Sequence, residues 1–193
     1  MKKTLSVFFA LTLSLLLFIP SYATSIDDES YNLVDGKYLI PVTEEQFNEF
    51  NENTDLEEFI EKYSLVRIPA VIEEAPEAPT VNINDKSRAS VNIPAREIDR
   101  NGVYYNDSNG DPFVIKKGGT FKITAKISRP KYPGAFIGYR DHSDNLLHGM
   151  IGGSSSRSES FKFTKQATVD GYIRAEGGPI QLDSGKITWT KGN

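Results

Sequence analysis

The sequence predicts a mainly β protein: a C-terminal antiparallel β-sandwich or jelly-roll-like domain preceded by a small acidic helical segment. Three observations carry that reading. From about residue 96 onward apolar and polar residues alternate with a period of two, Gly- and Asn-rich breaks interrupt the alternation at short intervals, and a helical period with capping signals is confined to residues 43–63.

Residues 1–23 read as a secretory signal, with Lys2 and Lys3 as the positive start and an apolar run from Leu5 to Ile19. Ser21-Tyr22-Ala23 supplies small residues before a cut between Ala23 and Thr24. A run of about 15 apolar residues is shorter than the roughly 20 that span a bilayer, so cleavage and secretion are expected rather than anchoring. The chain has no cysteine, which excludes a lipid-modified cysteine, a disulfide framework, thiolate metal sites and thiol catalysis.

Residues 24–68 form the expected acidic segment with two short amphipathic helices. Lys37 to Pro41 is a short extended stretch. Thr43 then caps a turn with Glu44 and Glu45 near the positive helix end and Gln46 at the capping-box position. Thr54 repeats the pattern, with Glu57 three residues on, and Leu56, Phe59, Ile60 and Tyr63 make the apolar stripe of a second helix. Residues 69–95 read as a Pro/Ala/Glu-rich linker through Glu73-Glu74-Ala75-Pro76-Glu77-Ala78-Pro79, with extended stretches at Val81–Ile83 and Ala89–Ile93.

Residues 96–193 are the expected basic sandwich. Along Thr120 to Ser128, Phe121, Ile123, Ala125 and Ile127 face one side and Lys122, Thr124, Lys126 and Ser128 the other, as in a half-buried antiparallel strand. Further strands are expected at Val103–Tyr105, Pro112–Lys116, Ala135–Tyr139, Leu146–Ile151, around Phe161 and Phe163, at Val169–Ala175, at Ile180–Leu182, and around Ile187 and Trp189.

Charge divides the chain in the same way. Residues 24–80 hold 15 acids against Lys37, Lys62 and Arg67, a net of −12, whereas residues 81–193 hold 17 Lys and Arg against 11 acids, a net of +6. No acid lies between Asp111 and Asp141, so Lys116, Lys117, Lys122, Lys126, Arg129 and Lys131 are the expected contacts for an anionic partner. Tyr172 and Arg174 fall on the outward phase of their strand with Thr168 and Asp170, and join them as ligand-binding candidates. Tyr132, Phe136 and Tyr139 either rim a site or fill the core.

Catalytic patterns are sparse. His142 and His148 fall near one loop, without the convergent groups that a nucleophile–base–acid apparatus needs, and no catalytic residue is assigned. Glu159 and Glu176 are expected on solvated strand ends. Asp107-x-Asn109-x-Asp111 begins like a calcium loop, yet Pro112 and Gly118 break the rest of the pattern and Asn109-Gly110 is a turn dipeptide. No other cofactor is expected. Gly149-x-x-Gly152-Gly153 lacks the lysine and helix of a phosphate loop.

The expected function is that of a secreted, non-enzymatic protein binding an anionic envelope polymer, a surface or a protein partner. The competing expectation is an antimicrobial or toxin-like precursor whose acidic leader masks the basic domain, is cut between Asp85 and Arg100, and frees a product that contacts membranes. Nucleic acid is disfavoured as a partner for an exported chain.

Overall fold

A computed structural model describes residues 28–70, 73–82, 90–107, 109–128 and 134–190. The expected signal at 1–23 lies outside these residues. Strands β1 (Asp28–Asp35) and β2 (Tyr38–Val42) form a hairpin, followed by helices α1 (Glu44–Glu49) and α2 (Leu56–Tyr63). Five short strands come next: β3 (Ile68–Pro69), β4 (Glu73–Glu74), β5 (Thr80–Asn82), β6 (Ser90–Ile93) and β7 (Arg96–Ile98). The rest are β8 (Val103–Asn106), β9 (Phe113–Ile115), β10 (Thr120–Ser128), β11 (Ala135–Asp141), β12 (Leu146–Gly152), β13 (Ser156–Phe163), β14 (Ala167–Ala175) and β15 (Ile180–Trp189).

The strands make two sheets packed as a sandwich. The larger runs β3-β2-β1-β13-β10-β15-β6, with β7 also on β15; the smaller runs β4-β12-β11-β14-β8-β5, with β9 also on β14. Alternation decides which side chains enter the space between them. Phe121, Ile123, Ala125 and Ile127 of β10 are all buried, and they meet Ile137, Tyr139, Val169 and Ile173 of the smaller sheet in one apolar cluster. Trp189, in phase with Ile187, packs on this cluster with its ring 4.8 Å from that of Phe113. The two strands expected at 180–182 and 187–189 are one, β15, whose pairing with β10 shifts by a residue between Lys126 and Ile127.

The acidic stretch is woven into the same sheet as the basic one. β1 pairs in parallel with β13 from Asp28↔Arg157 to Val34↔Phe163, so it is an interior strand between β2 and β13. Its Val34 enters the inter-sheet core, while Leu33, of opposite phase, joins Ile40, Phe47, Phe50 and Phe59 in a second cluster on the outer face. Helices α1 and α2 lie there because neither is long enough to be stable without an apolar surface to cover. Lys162 of β13 points into this second cluster. Its ammonium donates to the carbonyls of Phe47 and, at 2.9 Å, Phe50, so it closes the C-terminal end of α1. Burial, with no carboxylate beside it, holds the Lys162 pKa below its ordinary value.

The capping box expected at Thr43 and Gln46 is formed. At α2 the cap is Asp55 rather than Thr54: Asp55 Oδ1 accepts from the N–H groups of Glu57 at 2.9 Å and Glu58 at 3.0 Å, while the Thr54 hydroxyl accepts from Asn51 N. The described part of the stretch expected as a linker, 69–95, supplies strands β4, β5 and β6 at sheet edges. No helix among the described residues is long and apolar enough to cross a membrane.

Candidate functional site

The helices cover the outer face of the larger sheet over β1 and β2, and leave the outward side chains of β10 and β15 partly or fully exposed. In pairing register, Lys122 stands between Ser160 and Thr188, Thr124 between Ser158 and Lys186, and Lys126 between Ser156 and Ser184. Lys186 is therefore diagonal to both Lys122 and Lys126, a separation of about 7–8 Å between backbones. The Thr124 and Ser158 hydroxyls are 3.1 Å apart, tying the rows together. Lys126 and Lys186 are exposed and make no ion pair with another described residue. None of these outward positions of β10, β13 and β15 carries a carboxylate; Glu29 on β1, Asp183 in the bulge of β15 and Glu97 on β7 border them.

Where α1 overhangs this face there is a cleft of about 370 Å³, lined among others by Glu29, Tyr31, Glu44, Lys122, Thr188 and Trp189. Lys122 and Glu29 form an ion pair across it. Burial pushes the Glu29 carboxyl up, but the Lys122 ammonium and the hydroxyls of Tyr31 and Ser160 outweigh it and hold the group below the usual carboxylate range. The Tyr31 phenol is pushed up to about 12, by burial first and then by Glu29 and Glu44. A phenol whose folded-state pKa lies above its ordinary value of 10 contributes stability that is complete below pH 10 and is lost as the pH rises toward 12. Denaturant unfolding at stepped pH should show stability falling across that window, and Tyr31→Phe should make the fall shallower without abolishing it, because burial also raises Tyr104, Tyr105, Tyr139 and Tyr172.

Of the residues expected to bind an anion, the structure brings together Lys122 and Lys126. Lys116 and Lys117 are exposed at the other end of β10, where Lys117 donates to the Thr54 carbonyl at 3.3 Å, beside the helices. Arg129, Lys131 and Tyr132 lie outside the described residues. Tyr172 is on the expected outer side of its strand but is not solvated: its exposure is 0%, its hydroxyl donates to Asn101 O at 2.7 Å, and it packs with Tyr104, Phe136 and Leu147 beneath residues 75–78. Arg174 is engaged by Glu73 and by Glu176 at 2.7 Å. Tyr139 fills the inter-sheet core.

Asp107 spends its carboxylate on its own loop, Oδ1 accepting from the N–H groups of Asn109 at 2.8 Å and Asp111 at 2.9 Å, the geometry of the turn reading. Among the described residues no three His, Asp or Glu side chains gather as a metal site. Glu159, expected at a solvated strand end, is buried between the sheets, where it pairs with Arg157 and accepts from the Ser30 hydroxyl. Glu176 is half-buried against Arg174. His142 Nε2 lies 2.8 Å from Asp170 Oδ2, but that carboxylate also takes Arg140 Nε at 2.9 Å, and no nucleophile joins them among the described contacts.

Lys186 completes the basic face and was absent from the sequence expectation, although its phase is legible: it alternates with Ile187, so an inward Ile187 sets it outward. The Asp170–Arg140 pair was missed because its members are 30 residues apart and only strand pairing sets them opposite each other.

Neither a family model nor a curated protein matches the chain. Among solved structures it is similar to the crystal structure of Aeromonas hydrophila PliG, a periplasmic lysozyme inhibitor of g-type lysozyme, at 12% identity and a TM-score of 0.37, covering 60% of this chain and 100% of that one. An overlap this loose carries no statement about function.

Proposed function

We propose that the protein is an exported, non-enzymatic binding protein that holds an anionic envelope polymer or the anionic surface of a partner on the outer face of its larger sheet. The observation that carries the reading is the exposed pair Lys126 and Lys186, diagonal neighbours without ion pairs to described residues, on strand positions free of carboxylates. Ser and Thr hydroxyls between the lysines offer neutral hydrogen bonds to the same ligand, and a row of cations and hydroxyls along the strands suits an extended polymer better than a small molecule. Long-range attraction then brings the ligand in and weakens with salt.

The test is retention on an immobilised polyanion. The unmodified protein should be retained at low salt and released as ionic strength rises. The double variant Lys126→Glu/Lys186→Glu should lose at least about tenfold in affinity, since two reversed charges oppose every approach to the face. Its thermal stability should stay near that of the parent, as both side chains are exposed. Unchanged retention would sink the reading.

One contact favours the precursor reading, the Glu29–Lys122 pair, in which the acidic stretch covers a basic residue. The position of β1 weighs more heavily against it. Releasing the leader would remove an interior strand of the sheet and uncover the whole edge of β13.

A further inference from the structure

The outer face of the smaller sheet is built differently. Tyr104, Phe136, Leu147 and Tyr172 form an aromatic groove, with ring centroids 4.7 Å apart for Tyr104–Tyr172 and 5.9 Å for Phe136–Tyr172. Arg140 stacks on Tyr104 and Arg174 on Phe136, so each end carries a guanidinium. Beside the groove, a Cβ at Gly149 would stand 2.4 Å from the Ile137 carbonyl oxygen and 2.7 Å from the Gly138 Cα of β11, and 2.8 Å from the Phe136 ring.

Residues 74–79 lie in this groove, and they are two tandem triplets, Glu74-Ala75-Pro76 and Glu77-Ala78-Pro79. A polyproline II strand has three residues per turn, so a three-residue repeat puts like residues on one side. The contacts follow that period. Ala75 and Ala78 pack on the aromatic rings, Glu74 and Glu77 are exposed, and the carbonyls of Pro76 and Pro79 both accept from Tyr104, at 2.9 Å from its hydroxyl and 3.0 Å from its N–H. Glu73 pairs with Arg174 ahead of the first triplet. Aromatic rings under an extended proline-bearing strand, with a tyrosine donating to its carbonyls, are the parts by which proline-rich peptides are recognised between molecules.

We infer that this groove is a peptide-recognition site for extended acidic segments bearing Ala-Pro at three-residue spacing, and that residues 73–79 occupy it as an internal ligand. A partner segment of the same chemistry displaces them. The site lies on the sheet opposite the basic face and does not depend on the polyanion reading. A tethered occupant competes at an effective concentration in the millimolar range, so trans binding is weak until the internal strap is loosened.

The probe is a fluorescent peptide, Glu-Glu-Ala-Pro-Glu-Ala-Pro-Thr, with a control in which both alanines are aspartate. In the full-length double variant Ala75→Asp/Ala78→Asp the probe should bind saturably and at least about tenfold more tightly than to the unmodified chain, because the cis competitor is weakened. Tyr104→Phe added to that variant, which removes the donor to Pro76 O, should weaken probe binding, and the control peptide should not bind. A folded double variant that ignores the probe, or that takes the control equally well, overturns the inference. So does a variant that dimerises through the groove and is not dissociated by the probe. If the double variant does not fold, the unmodified chain is titrated with millimolar probe while the ring resonances of Tyr104 and Tyr172 are followed: shifts with the probe alone support the site, and unmoved resonances overturn it.

Discussion

Deleting residues 1–69 is expected to leave a chain that does not fold cooperatively, rather than a released basic domain. The deletion removes β1, β2, β3 and both helices, and with them seven buried apolar side chains: Leu33, Val34, Leu39, Ile40, Phe47, Phe50 and Phe59. At about 1.5–3 kcal/mol for each fully buried side chain, the loss is comparable to the whole stability of a typical domain, about 5–15 kcal/mol. It also removes the carbonyls that receive Lys162 and the Ser30 hydroxyl that donates to Glu159. The truncated chain should show no near-ultraviolet circular dichroism and no cooperative thermal transition. A truncated chain that melts cooperatively would show that β1, β2, β3 and both helices are dispensable for folding and would count in favour of the precursor reading, whose cut lies further on, between Asp85 and Arg100.

The second large effect concerns the ion pair between the sheets. Arg157 and Glu159 are 6% and 2% exposed, and Arg157 also donates to the Ala135 carbonyl at 2.8 Å across the sandwich. Glu159→Ala would leave a guanidinium in an apolar interior without its carboxylate, at a cost of about 3–5 kcal/mol. Replacing both, Arg157→Met/Glu159→Met, should cost much less than the single change, because the desolvation penalty disappears together with the attraction that offset it. Denaturant unfolding of the unmodified chain and the two variants decides the point. If the double variant is no more stable than Glu159→Ala, that expectation fails and two apolar side chains do not replace the polar network with Ser30. If it is more stable than the unmodified chain as well, the ion pair costs net stability.

Local patterns were legible along the chain. The period-two strand over 120–128 shows the alternation its side chains predict, and the Thr43 capping box forms because its partners are three residues apart and need nothing else. The cap of α2 slipped by one residue, from Thr54 to Asp55, because two oxygen-bearing side chains stood next to each other and the turn after α1 took the hydroxyl. The inward and outward phases of β14 were right as well, yet Tyr172 is buried on its outward phase, since phase says which side a residue faces and not what lies on that side.

The sequence by itself determined that this is a mainly β protein with two short helices confined to its acidic stretch, and which side of each long strand is apolar, because alternation, helical period and capping act over a few residues. Only the tertiary structure decided that β1 lies in parallel against β13, that residues 74–79 cover the aromatic groove, that Glu159 is buried, and that Lys186 joins Lys122 and Lys126 on an open face. Those outcomes depend on pairings between segments up to about 130 residues apart, and no local period records which distant segment will cover a given face.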